Sequence, residues 1–206
     1  MKTCAFSGWA FPPAALQPLA DALRSIDKSD GELWIGWSLG GIQAISRCAA
    51  SVPRTLVLIS STARFCGDEQ GWPGLPPANL RALQRQLART PEDALREFHR
   101  LCSENATEEE IERRVQDSLP LPLADGLRQL AEMDVRLSLK GIAQPVLLLH
   151  GARDRVIPVA AARAMASRIR NARLIEHNEA GHDLPIRHRD WVVAQIREFL
   201  EQLPLK

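Results

Sequence analysis

The stretch Leu-Trp-Ile-Gly-Trp-Ser-Leu-Gly-Gly, residues 33–41, decides the fold. A short apolar strand leads into the pattern Gly-x-Ser-x-Gly at residues 36–40, and a helix of small residues follows it. In this context the serine lies on a sharp strand-to-helix turn, and the flanking glycines permit the close contacts that such a turn makes. We therefore predict Ser38 as a nucleophile, with the N-terminus of the next helix favouring the negative charge that develops beside it.

Strands and helices alternate on both sides of this turn. Strand-like apolar segments lie at residues 3–6, 33–36, 55–60, 145–150 and 172–175, and helical periodicity lies at residues 12–23, 39–50, 159–169 and 191–203. A polar turn at residues 27–31 joins the first helix to the second strand. Such alternation is typical of an α/β fold with a parallel sheet. We predict one domain over residues 1–206, with a mostly parallel sheet of about five strands flanked by helices on both faces.

The character of the chain changes between residues 68 and 140. This segment is charged, helical in period and poor in strand signals, with candidate helices at residues 78–88, 92–102, 108–117 and 123–133. Ligands bind to sheets of this kind at the carboxyl ends of the strands. We predict that residues 68–140 form a helical lid inserted over that edge.

Two further residues follow strand-like segments in the chain order that a serine hydrolase of this fold requires, Ser then Asp or Glu then His. Asp154 follows the segment at 145–150, and His182 follows the segment at 172–175. Loops at one edge of the sheet can converge on Ser38, so we predict His182 as the general base and Asp154 as the acid that orients it. Asp183 and Glu179 are weaker alternatives for the acid because they flank the base itself.

Acyl transfer also needs two donors aimed at the tetrahedral oxygen. One is expected to be the backbone N–H of Leu39, the residue after the nucleophile. The loop after the first strand, Ser7-Gly8-Trp9-Ala10, is expected to supply the other from the N–H of Trp9. The alternative is that Gly8 only ends a strand and Trp9 only packs in the core.

The overall composition argues against several classes of partner. The formal net charge is +1, which gives no global field for nucleic acid, and no apolar run approaches the ~20 residues of a membrane span. The four cysteines are scattered and favour free thiols in a reducing cytoplasm. We expect a cytoplasmic monomer whose chemistry needs no metal and no cofactor.

Several motifs together resemble one known family. They are Ser7-Gly8-Trp9, Gly36-Trp37-Ser38-Leu39-Gly40-Gly41, Asp68-Glu69 with Trp72-Pro73-Gly74, residues 84–87, His150-Gly151 with Asp154, and Gly181-His182. In this combination the chain is similar to the pimeloyl-carrier-protein methyl ester esterases of biotin synthesis, which are α/β-hydrolases. It departs from them in having Ser7 where they carry His, and in lacking a strand between the first helix and the strand before Ser38.

The resemblance implies an α/β-hydrolase fold and a carboxylesterase acting on pimeloyl-carrier-protein methyl ester, with a lid that binds the acyl chain. Trp37, Trp72 and Phe98 are the candidate substrate-binding residues, against the alternative of simple packing. Two other functions stay open. One is a general short-chain acyl esterase or thioesterase, and the other is a non-catalytic binding protein on a hydrolase fold.

The resemblance also implies that basic lid residues dock the acidic acyl carrier protein. Arg81, Arg85 and Arg89 are four residues apart and share one helix face, and Arg96 and Arg100 repeat the spacing on the next helix. We predict that these arginines orient the carrier protein. The alternative is a solvated basic face, partly neutralised by Glu92, Asp93 and Glu97.

Overall fold

The computed structural model describes residues 2–24 and 31–203, so most of the polar turn predicted at residues 27–31 lies outside the described residues. Five strands form one sheet in the order β1-β2-β3-β4-β5, and each neighbouring pair is parallel. The strands are β1 (Lys2–Phe6), β2 (Glu32–Trp37), β3 (Thr55–Ile59), β4 (Val146–Gly151) and β5 (Ala172–His177). The predicted parallel sheet of about five strands is therefore confirmed.

Nine α-helices accompany the sheet in the described part of the chain. They are α1 (Gln17–Leu23), α2 (Leu39–Arg47), α3 (Pro77–Arg89), α4 (Pro91–Cys102), α5 (Glu108–Ser118), α6 (Leu123–Glu132), α7 (Val159–Ala166), α8 (Leu184–Arg187) and α9 (Arg189–Glu201). The helix predicted at residues 12–23 is divided, because a 3₁₀ turn at Pro13–Leu16 precedes α1. Pro18 has no N–H, so it cannot make the bond that would continue one α-helix through this point. None of these helices is long and apolar enough to cross a membrane.

The two faces of the sheet are covered by different helices. Helix α1 packs on β1 and against α9, whereas α2 packs on β1 and β2 and against α6. Two contacts place α2 on the Phe6 side of the sheet: Arg47 lies 5.0 Å above the Phe6 ring, and Gly36 abuts Gly41. Because β1, β2 and β3 advance in one direction, connections that cross opposite faces must have opposite hands. One of them therefore breaks the strong preference for right-handed crossovers.

Helices α3 to α6 all lie between β3 and β4, within the segment predicted as a lid. An ion-pair network joins the start and the end of this insertion. Arg64 and Arg136 both bind the Asp68 carboxylate at 2.6 Å, and Arg136 also binds Asp134 at 2.6 Å. The N–H of Trp72 donates to Asp68, and this bond, with the two guanidinium groups, lowers the pKa of that carboxyl although burial opposes the shift. The insertion thus leaves and rejoins the sheet at one fixed point.

Candidate active site

Ser38 lies in a strained backbone conformation at the junction of β2 and α2. Its φ is 56° and its ψ is −122°, a backbone conformation that residues other than glycine rarely adopt. A Cβ at Gly40 would lie 2.1 Å from the carbonyl oxygen of Phe6, so a larger residue cannot replace this glycine without moving β1. The hydroxyl of Ser61 donates to the carbonyl oxygen of Ser38 at 2.8 Å and supports the turn. Strain of this kind persists because the surrounding packing determines it.

The structure brings the three residues of the predicted triad together. Nε2 of His182 lies 3.0 Å from Oγ of Ser38, and Nδ1 of His182 lies 2.8 Å from Oδ2 of Asp154. All three residues are buried: Ser38 is 4% exposed, Asp154 9% and His182 0%. A proton can therefore pass from the serine to an imidazole whose other nitrogen faces a carboxylate, which is the geometry of an activated nucleophile.

Asp154 stays ionised in its buried position. The N–H groups of Val156 and Ile157 both donate to its Oδ1 at 2.8 Å. Burial acts to raise the pKa of this carboxyl, but the charge of His182 and the hydrogen bonding of His150 and His182 outweigh burial and hold it below its ordinary value. His150 itself bonds the carbonyl oxygen of Ile157 at 2.9 Å, so its role is to brace the Asp154 loop.

The loop predicted to complete the oxyanion hole passes directly beside Ser38. A Cβ at Gly8 would lie 3.1 Å from Cβ of Ser38, so the close approach requires a glycine. In the described ranges the backbone N–H groups of Trp9 and Leu39 make no hydrogen bond, which leaves both free to donate to a substrate oxygen. The loop is tied to the insertion at two points. Trp9 Nε1 donates to the carbonyl oxygen of Leu123 at 2.9 Å, and Ser118 Oγ reaches that of Ala10 at 2.7 Å.

A cavity of about 370 Å³ opens beside Ser38 and lies under helices α3 and α4. Most of its wall is apolar, and Phe98 packs edge-to-face on Trp9 with ring centroids 4.6 Å apart. The apolar lining comprises Trp9, Phe65, Leu75, Leu80, Ala82, Leu83, Ala94, Phe98, Leu101, Leu130 and Val156. Asn79, Gln86, Glu97 and Arg155 add polar groups. Phe98 therefore lies where the sequence predicted a substrate-binding residue.

The structure corrects the prediction for Trp37 and Trp72, neither of which is among the described residues lining this cavity. Trp37 is fully buried, stacks near Phe11 at 4.2 Å between centroids, and donates from Nε1 to the carbonyl oxygen of His182 at 3.0 Å. Trp72 donates to the carbonyl oxygen of Arg64 at 2.8 Å, at the root of the insertion. Each of these buried indole N–H groups donates to an acceptor within the protein.

The predicted arginine stripe is divided by its ion pairs. Arg96 pairs with Glu112 and Asp93, and Arg100 pairs with Glu108, so the positive charge on α4 is offset. In this structure these two residues bridge α4 and α5, so the docking role predicted for them has less support than that of the other three. The other three, Arg81, Arg85 and Arg89, are exposed and have no ion-pair partner in the described part of the chain. They share helix α3 with Leu80 and Leu83, which line the cavity.

Sequence reasoning missed several residues that hold the site. Ser61 supports the nucleophile turn, the carbonyl oxygen of Cys102 accepts bonds from the His182 loop, and Arg114 pairs with Asp183. No local pattern marks these residues, because each acts on a partner that is distant in the sequence. The described ranges contain no group of three or more His, Cys, Asp or Glu residues arranged to hold a metal ion.

Comparison with known proteins gives consistent results. Residues 6–195 match the alpha/beta hydrolase family. A pimeloyl-(acyl-carrier protein) methyl ester esterase of Aliivibrio fischeri is 31% identical over 179 residues, which cover 82% of this chain and 69% of that protein. The enzyme of the same name from Xanthomonas campestris is 30% identical over 203 residues, covering 93% of this chain and 79% of that protein.

The solved structures agree on the fold. An esterase from Exiguobacterium antarcticum superimposes with a TM-score of 0.87 and covers 98% of this chain and 92% of its own. Its sequence identity is 17%, so this likeness supports the fold alone.

Proposed function

The chain belongs to the alpha/beta hydrolase family and has esterase relatives, and from that premise we propose that it is a serine carboxylesterase with Ser38, His182 and Asp154 as its catalytic triad. The observation that carries the proposal is the unbroken chain of contacts from Asp154 through His182 to Ser38, beside an apolar cavity. A binding protein would not need a strained serine held against an imidazole.

The reaction follows from these contacts. Oγ of Ser38 bonds to the ester carbonyl carbon as Nε2 of His182 takes its proton, and Asp154 stabilises the imidazolium. The tetrahedral intermediate collapses by breaking the bond to the alcohol, which leaves with the proton from His182. Water then attacks the acyl-enzyme with His182 again as base, releasing the acid and restoring Ser38. The N–H groups of Trp9 and Leu39 would hold the oxyanion in both steps.

For the substrate we infer pimeloyl-acyl-carrier-protein methyl ester. Its support is the name of the relatives, at about 30% identity, together with the apolar cavity beside Ser38. That cavity, at about 370 Å³, is in the size range of small-molecule sites. An apolar wall suits a methylene chain, and the carrier protein would remain outside the cavity mouth.

Helix α3 is the surface proposed to receive the carrier protein. Its inner face lines the cavity through Leu80 and Leu83, and its outer face presents the stripe Arg81, Arg85 and Arg89. With no ion-pair partner among the described residues, these guanidinium groups beside the cavity would attract an acidic partner and turn its acyl group towards Ser38.

The catalytic proposal is tested by substitution of the triad. Ser38→Ala should lower kcat for a soluble methyl ester by about 10⁴-fold or more while circular dichroism is unchanged, because no other group can form the acyl-enzyme. His182→Ala should cost about as much and Asp154→Asn somewhat less. Hydrolysis by Ser38→Ala at the wild-type rate would refute the assignment, as would failure of a fluorophosphonate to label Ser38.

The carrier proposal is tested by reversing charge on α3. Arg81→Glu, Arg85→Glu and Arg89→Glu together should sharply reduce hydrolysis of the carrier-bound ester and abolish its salt dependence. The same triple variant should cleave a small soluble ester normally. A matched control reverses the exposed Arg170, Arg189 and Arg197, which carries the same change in net charge away from α3. If the two triple variants behave alike, or both substrates respond equally, the better assignment is a general short-chain esterase.

A further inference from the structure

Helices α4 and α5 of the insertion hold the loop that carries His182. The carbonyl oxygen of Cys102, the last residue of α4, accepts the backbone N–H of His182 at 3.1 Å and of Asp183 at 3.2 Å. A Cβ at Gly181 would lie 2.9 Å from that same oxygen, so the loop can approach α4 closely only with glycine there. The histidine loop therefore rests on the insertion as well as on the sheet.

A buried ion pair strengthens the same junction. Nη2 of Arg114 on α5 lies 2.9 Å from Oδ2 of Asp183, and the two side chains are only 10% and 3% exposed. Arg187 approaches Asp183 at 3.6 Å, but it is 30% exposed and also pairs with Glu110. Nη1 of Arg114 is buried without any partner in the described chain. Because both side chains of the pair are largely buried, removal of either one would leave a poorly compensated charge at this junction.

The opposite side of His182 is fixed by the sheet. Trp37, at the end of β2, donates from Nε1 to the carbonyl oxygen of His182 at 3.0 Å. The backbone of this residue is thus held through its N–H by α4 and through its oxygen by β2. The position of the loop between these two supports depends on the residues beside His182. The residue that follows it in the chain is Asp183.

We propose that Arg114 is a positioning residue for catalysis, which acts through Asp183 to keep His182 in line between Ser38 and Asp154. The inference rests on the proposed function, since it takes His182 as the base. The two bonds that the imidazole makes, at 3.0 Å and 2.8 Å, leave little tolerance. A displacement of about 1 Å at such a group can cost about 100-fold in rate. On this view α4 and α5 form part of the catalytic frame.

The test measures kcat per active site in Arg114→Met, with a small soluble ester and with sites counted by complete fluorophosphonate labelling. We expect kcat per site to fall about 10-fold to 100-fold, because the base is displaced, while KM changes little. Because only labelled sites are counted, unfolded protein does not lower kcat per site. A purely structural role for Arg114 would reduce the number of sites and leave kcat per site unchanged. Arg114→Lys, which keeps the charge, should restore part of the loss. Arg113→Ala is the matched control, because Arg113 is adjacent on α5, is exposed and has no ion-pair partner in the described chain.

The outcomes separate this inference from the proposed function. Wild-type kcat per site in Arg114→Met, or a loss confined to KM, overturns the positioning role. An equal loss in Arg113→Ala also overturns it. If Arg114→Met does not fold, the double variant Arg114→Gln with Asp183→Asn decides, because it removes both buried charges together and should fold. Its kcat per site should also be reduced, and a wild-type value would refute the role. Failure of the proposed function itself would appear as undiminished hydrolysis by Ser38→Ala.

Discussion

Two buried histidines lie on either side of Phe98, and their surroundings give them different chemistry. The ring of Phe98 lies 5.5 Å from that of His99 and 6.5 Å from that of His182. His182 faces a carboxylate, whereas His99 bonds only the hydroxyl of Ser118 at 3.0 Å, and its Nδ1 has no partner in the described chain. Burial, with the nearby charge of Arg114, lowers the pKa of His99 to about 3. His99 is therefore a neutral structural residue that ties α4 to α5.

A pH dependence of stability follows from His99. Its ordinary pKa is 6.5 and its folded value is about 3. Below about pH 6.5 the imidazole of His99 therefore binds a proton in the unfolded chain but not in the folded chain. The contribution of His99 to the free energy of unfolding should have its full value above pH 6.5. It should fall by about 1.4 kcal/mol per pH unit as the pH drops towards 3. Urea unfolding between about pH 7 and pH 5 measures this slope, and His99→Leu should reduce it.

His177 provides the comparison for that experiment. Its pKa is also lowered, first by burial and then by the charge of His188, but it is only partly buried. His177→Gln should therefore remove a smaller part of the slope than His99→Leu. A slope that survives unchanged in His99→Leu would contradict the assignment of His99 as a buried neutral group.

At the scale of elements, the insertion is joined to the core by side chains that pack closely. Gly126 on α6 faces Trp9, and a Cβ there would lie 2.5 Å from Cδ1 of the indole. That indole cannot move freely, because it donates to Leu123 and packs against Phe98. Glycine within a helix ordinarily costs about 1 kcal/mol relative to alanine. At this position the close contact outweighs the helix propensity.

Gly126→Ala should therefore destabilise the protein, by about 1–3 kcal/mol, although alanine is the better helix former. The displaced Trp9 belongs to the proposed oxyanion loop, so kcat should fall as well. Gly141→Ala is the control, since a Cβ at Gly141 would meet no atom within 4 Å. Thermal unfolding of both variants measures the difference. Equal or greater stability in Gly126→Ala would show that the Trp9 side chain can move aside without destabilising the protein.

The elements that the sequence predicted well are those with a clear period or a long apolar run. Strands β3 and β4 are buried at every residue and were located to within about one residue, as were helices α3 to α6. Helix α8 was missed, because four residues cannot display a helical period. The triad residues were predictable because the fold orders them along the chain. Supports such as Ser61 and Arg114 were not, because their partners are known only once the chain is folded.

At the scale of the whole molecule, the sequence predicted the layers but not the path between them. A sheet in the order β1-β2-β3-β4-β5 with only right-handed connections would place its connecting helices on one face. Here α1 and α2 cover opposite faces, so one connection is reversed. The match covers 69% of the Aliivibrio fischeri relative and 79% of the Xanthomonas campestris relative, so both relatives extend beyond the matched region.

The contacts between the insertion and the sheet decide whether the two behave as one folding unit. Contacts between them fall on the active-site loops. They include the bonds from Trp9 to Leu123, from Ser118 to Ala10, and from His182 to Cys102. Loss of the insertion would remove the supports of both the oxyanion loop and the histidine loop. We therefore expect residues 68–140 to unfold together with the sheet, in one two-state transition.

Cys102 offers a local probe of that transition. It lies on α4, is completely buried, and burial raises the pKa of its thiol well above the ordinary value, so it should not react while the fold is intact. In a variant with Cys4, Cys48 and Cys66 replaced by alanine, thiol labelling, tryptophan fluorescence and far-ultraviolet circular dichroism should share one urea midpoint. Cys102 becoming reactive at lower urea than the loss of circular dichroism would mean that the insertion opens alone. In that case α4 and α5 could not serve as a fixed support for His182, and the same measurement would weaken the role inferred for Arg114.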